Sequence, residues 1–141
     1  MVKEKYAQYV LTDFPQVEPE EQNYKTTLIM DTEGVKTFKG KKFSLAASFI
    51  TDPGVMVSEP HTHNYDQYLV FIGADLHSKS LGGEAEICLG EEQEKHTIKT
   101  AAIVHIPKGL KHCPLTHKRV DKPYLLLDIF LASKYERNLS K

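Results

Sequence analysis

The chain is poor in the features that mark specialised protein classes. No stretch approaches the ~18 consecutive apolar residues that a membrane-spanning helix needs. Its first residues carry Lys3, Glu4 and Lys5 where a secretory leader would need an apolar core, so a cytoplasmic protein is expected. Cysteine is scarce: Cys88 and Cys113 are too few for a disulfide framework and lack C-x-x-C spacing, which predicts two reduced thiols. A dominant charge sign is missing as well, because 18 Lys and Arg stand against 19 Asp and Glu. No overall field draws the chain to nucleic acid or to an anionic membrane, and neither is an expected partner. Internal repeats are absent. What remains is the composition of one globular domain: 141 residues, 40% hydrophobic and 26% charged, long enough for a single core.

Helical periodicity is equally thin. Val2, Tyr6, Tyr9 and Val10 give a weak amphipathic signal, consistent with a short helix or a docked arm. Residues 13–23 hold Pro15 and Pro19 with Glu18, Glu20 and Glu21 and read as a surface linker, so residues 1–23 form an arm and linker. From Tyr24 the texture changes to short apolar or alternating runs. They cover residues 24–32, 42–50, 55–59, 67–72, 84–89, 96–99, 101–106 and 124–132. Glu33-Gly34, Lys39-Gly40, Asp52-Pro53-Gly54 and Gly82-Gly83 punctuate them as turns. About eight strands without a long helix between them predict an all-β antiparallel sandwich or barrel over residues 24–132, since parallel strands need crossover helices. The charge run Glu91-Glu92-Gln93-Glu94-Lys95 reads as a hairpin loop. The polar tail, residues 133–141, reads as a frayed end or a short helix.

The stretch Pro60-His61-Thr62-His63-Asn64-Tyr65-Asp66-Gln67 concentrates the chemistry. Alternation along a strand lets His61, His63 and Gln67 share one face if the bend at Asn64 and Tyr65 keeps the phase, and they could then converge on one ion. A second segment, Ile106-Pro107-Lys108-Gly109-Leu110-Lys111-His112, offers another imidazole. There Gly109 supplies a permissive backbone and Pro107 a fixed entry, so that His112 can face the same ion. Parity sends Asp66 away from Gln67; a bulge would let it serve as the carboxylate instead. Cys113 should face away from His112 as a buried, inert thiol. His77, His96 and His117 read as packing or surface residues, and His105 stays open between pocket and exterior. Tyr65, Leu69 and Phe71 share the parity of Gln67 and are candidate pocket walls.

These motifs resemble those of the cupin superfamily. Gly54, His61-Thr62-His63, Gln67 and Gly73 match its first motif, and Pro107-Lys108-Gly109-Leu110-Lys111-His112 its second, in the family's order over residues 51–131. The resemblance implies a small jelly-roll β-barrel, frequently a homodimer, with a divalent metal such as Zn, Fe, Ni or Mn held at His61, His63, Gln67 and His112. Two departures stand out: Gln67 replaces the usual glutamate, and Ala101 stands where a glycine often opens the second motif. Three neutral imidazoles and a carboxamide leave a divalent site near two net positive charges, against one with a carboxylate. Gln67 should therefore weaken metal retention, acidify a bound water, and remove a possible general base. The function implied is a metal-binding cupin acting as a Lewis acid on a small oxygen-rich molecule. Its alternatives are a non-catalytic small-molecule binder or sensor, or a structural subunit of a complex.

Overall fold

The computed structural model describes residues 5–12, 25–31, 40–134 and 136–139. The linker expected at residues 13–23 lies outside them. In the N-terminal arm, Ala7–Tyr9 forms a single exposed 3-10 turn. Eleven strands follow among the described residues: β1 (Lys25–Asp31), β2 (Ser44–Ile50), β3 (Gly54–Val57), β4 (His61–Thr62), β5 (Gln67–Ile72), β6 (Ser80–Leu89), β7 (Glu94–Thr100), β8 (Ala102–Ile106), β9 (His112–Val120), β10 (Tyr124–Phe130) and β11 (Asn138–Leu139).

Two antiparallel sheets result. One has the order β1-β2-β10-β5-β8; the other runs β11-β4-β9-β6-β7, with β3 also paired to β9. Alternation places the core between them. On β5, Leu69 and Phe71 point inward, on β10 Tyr124 and Leu126, and on β6 Leu81, Ala85 and Ile87, forming one buried cluster with Ile50, Ile98, Ile106 and Leu115. Each fully buried Leu, Ile or Phe contributes roughly 1.5–3 kcal/mol, so this cluster supplies most of the driving force. The all-β jelly roll expected from the sequence is the architecture found. No described helix is long and apolar enough to cross a membrane.

Eight of the strands coincide with the runs read from the sequence; β4, β9 and β11 do not. β9 carries Pro114 with His112, Thr116, His117, Lys118 and Arg119, a composition that argues against a strand, yet it is central to its sheet. It pairs with β6 along one edge, and along the other with β3 at Gly54↔His117 and β4 at His61↔His112. The described part of the tail is neither frayed nor helical, because β11 adds to β4 through Asn138↔Thr62 and Leu139↔His61.

Gly73 and Gly109 hold the ends of the two motifs. A Cβ at Gly73 would stand 2.2 Å from the Ser80 carbonyl oxygen, so only glycine allows that close approach. Gly109 takes φ +84° in open space, donates its N–H to the His63 carbonyl at 3.0 Å, and turns the chain from β8 into β9. An L side chain there would cost about 1–2 kcal/mol from conformation alone.

Candidate metal centre

His61 and His112 come together because β4 and β9 pair at those two residues, which stand directly opposite across the ladder. Their ring centroids are 4.3 Å apart, and the His63 ring completes a triangle at 4.8 and 4.9 Å. One ring nitrogen from each of the three lies within 4.8 Å of the others, and all three residues are buried. Ligands at ~2.1 Å around one ion stand roughly 3.0–3.4 Å apart, so metal would draw the rings inward.

The other nitrogen of each ring is committed to the backbone. His61 Nδ1 donates to the Glu59 carbonyl at 2.8 Å, His112 Nδ1 to the Leu110 carbonyl at 2.9 Å, and His63 Nδ1 to the Glu136 carbonyl. Each bond fixes the tautomer with hydrogen on Nδ1 and leaves Nε2 as a lone-pair donor, the arrangement that metal-ligating histidines use. His112 Nε2 is buried without a hydrogen-bond partner, which is costly for a polar atom unless something binds it. Burial also keeps the rings neutral: desolvation lowers the pKa of His61, and lowers those of His63 and His112 to about 4. Three neutral, pre-aimed imidazoles form a set that could hold a metal ion.

Gln67 does not share a strand face with His61 and His63. Between β4 and β5 the chain crosses from one sheet to the other, so Gln67 enters the interior from the opposite wall, paired with Phe130 and Ile106. Its Nε2 donates to Asp128 Oδ1 at 2.8 Å, while its Oε1 is buried with no hydrogen-bond partner. Asp128 belongs to neither motif segment. It lies on the inward parity of β10 with Leu126 and Phe130, and burial pushes its carboxyl up to about 6 against the opposing effect of the Gln67 bond. A lone acid inside the run Leu125-Leu126-Leu127-Asp128-Ile129-Phe130 was the available signal.

The remaining candidates separate cleanly. Asp66 does not join the histidines: its Oδ1 accepts from the Lys108 N–H at 2.8 Å and so braces the turn of the second motif. His105 is exposed and stacks flat on Tyr68, with centroids 4.8 Å apart. Cys113 is a buried thiol, its pKa pushed up to about 12 by desolvation, but the expected alternation fails. β9 carries an extra residue between Leu115 and His112 relative to β6, and with Cys113 at φ +83° both Cys113 and His112 end up inside. His117 is buried at the other end of β9, bonded to the Tyr124 hydroxyl and facing Met56 Sδ at 3.4 Å, while His77 and His96 are exposed. Leu69 and Phe71 belong to the core rather than to the site; Tyr65 stacks on His63 with centroids 4.7 Å apart.

No family model and no curated protein matches the chain. Solved structures do. A recombinant oxalate oxidase in complex with glycolate superposes with a TM-score of 0.62 at 11% identity, over 94% of this chain and 63% of that one. Oxalate decarboxylase from Bacillus subtilis gives 0.60 at 19% identity, over 88% and 29% of the two chains. A further structure of the Bacillus subtilis decarboxylase, determined in a study of its Mn(II) centres, gives 0.53 at 11% identity, over 83% and 30%. The chain thus spans under two thirds of the oxidase and under one third of the decarboxylase. At these identities the likeness shows the fold: this chain folds as the oxalate oxidase and oxalate decarboxylase structures do, into the jelly roll that its two histidine motifs imply.

Proposed function

We propose that this protein is a cupin that binds a divalent metal through His61, His63 and His112, with Gln67 Oε1 as a further oxygen donor, and acts on a small oxygen-rich molecule. The observation that carries the reading is the set of three buried imidazoles whose Nδ1 atoms are all tied to backbone carbonyls. Such an ion, when bound, supplies Lewis acidity that polarises a carbonyl or enol oxygen. The protein's own contribution is orientation and exclusion of water. Tyr65, raised to about 12 by burial, stays a hydroxyl donor at neutral pH, and Gln67 cannot take a proton, so the task falls to the Asp128 carboxyl to which Gln67 is bonded. The similar structures named for oxalate and glycolate support a small carboxylate as the kind of molecule to try first. Imidazole ligands suit several ions, and the manganese of a similar structure makes Mn a candidate beside Zn, Fe and Ni.

A second reading, a binder without turnover, draws on Gln67 standing where a carboxylate would add charge and basicity. The same proposal includes a homodimer. Phe49, Ile72 and Ile103 are 46%, 41% and 70% exposed on the outer face of the five-stranded sheet. Val70, Leu125 and Leu127 lie beside them across the ladders, so the face is apolar over four strands. The deciding experiment for the metal is elemental analysis of the purified protein, with and without added divalent ions. About one equivalent is expected for the native chain and none for His61→Ala or His112→Ala; no metal in the native protein under any condition refutes the reading.

A further inference from the structure

The segment after β10 returns to the site. Beyond the Asn138↔Thr62 and Leu139↔His61 pairs, Asn138 Nδ2 donates to Asn64 Oδ1 at 3.1 Å. Residue 136 is clasped twice by Tyr65, whose hydroxyl donates to the Glu136 carbonyl at 2.8 Å and accepts the Glu136 N–H at 3.1 Å. That same carbonyl receives His63 Nδ1. The ring that completes the triad is therefore aimed by an element 73 residues away in sequence.

Arg137 sits in the middle of this segment. Continuing the β4–β11 register by one residue sets it opposite His63, and residues opposite each other across an antiparallel ladder project to the same face. It is exposed and makes no ion pair among the described residues. Its charge reaches His61, His63 and Cys113, lowering the pKa of each beside the larger effect of burial on the histidines. A guanidinium beside a site near two net positive charges is unfavourable until an anion enters between them, and its planar fork matches a carboxylate.

We infer that the strap Glu136–Leu139 is a working part of the site: its clasped carbonyl aims His63 at the metal, and Arg137 selects a small carboxylate as the ligand that joins the metal. The inference rests on the metal reading above, and the test separates the two. Full-length protein is loaded with Co2+, whose affinity is measured by competition with a chromophoric chelator. Oxalate, inorganic phosphate and neutral oxamide are then titrated calorimetrically, with the visible Co2+ spectrum as a second readout. Arg137→Gln is expected to leave Co2+ affinity within about threefold while weakening oxalate about tenfold or more and leaving oxamide unchanged; Arg137→Lys falls between. Tyr65→Phe, which opens the clasp without shortening the chain, is expected to lower Co2+ affinity about tenfold. Oxalate affinity unchanged in Arg137→Gln, phosphate bound more tightly than oxalate, or Co2+ affinity unchanged in Tyr65→Phe overturns the inference while the metal site stands. Failure of the native protein to bind Co2+ overturns both.

Discussion

The bond from Gln67 to Asp128 settles how the amide is oriented, since a carboxylate can only accept and Nε2 must face it. Replacing Gln67 by glutamate would set two carboxylates 2.8 Å apart, and one would hold a proton rather than face the metal as an anion. Gln67→Glu alone is therefore expected to change metal affinity little. Combining it with Asp128→Asn restores an N–H donor to the new carboxylate and frees its charge for the ion, which should raise affinity about tenfold or more over the native chain. Chelator competition on the native protein, Gln67→Glu, Asp128→Asn and the double variant checks this, and equal affinities for Gln67→Glu and the double variant would refute the coupling. At this scale the sequence was informative about identity and silent about company. His61, His63 and His112 could be named from spacing, whereas Asp128 lies 61 residues from Gln67 and only strand pairing introduces them.

Strands with ordinary alternation announced themselves, and β9 did not. Its proline and its basic residues hide an inward row, Cys113, Leu115 and His117, and its extra residue before Leu115 breaks the parity by which a strand is recognised. The crossing from β4 to β5 escaped for the same reason: a two-residue strand has no period, and its existence depends on β9 and β11 lying on either side. In the proposed homodimer, the apolar outer face of the sheet containing β2, β10, β5 and β8 takes a second copy. Light scattering should then give twice the 16.0 kDa of one chain. Ile103→Lys with Leu127→Lys should give the single-chain mass while metal binding persists, because neither side chain faces the interior. A 16.0 kDa native species would remove the dimer from the proposal.

Among its described residues the molecule buries more imidazole than carboxyl, and its response to acid follows. His63, His112 and His117 have folded pKa values of about 4 against 6.5 outside the fold. As the pH falls from 6.5 towards 4 the unfolded chain takes up protons that the folded one refuses, so stability present above 6.5 is lost across that window. Asp128 works the other way: its folded value of about 6 against 3.8 gives stability that is full below 3.8 and lost as the pH rises through 6. Three groups outweigh one, and the thermal midpoint of metal-free protein should drop steadily from about pH 7 to pH 4.5; a flat profile would contradict buried neutral histidines. Composition, turn residues and histidine spacing alone determined an all-β domain with two motif segments, because alternation and turn chemistry are properties of neighbours in the chain. Which sheet each segment joined, that Gln67 would face Asp128, and that residues 136–139 would return to His63 were decided by the tertiary structure. Those contacts span 61 to 78 residues, and they form only once burial of the core and pairing of the strand edges have fixed the register.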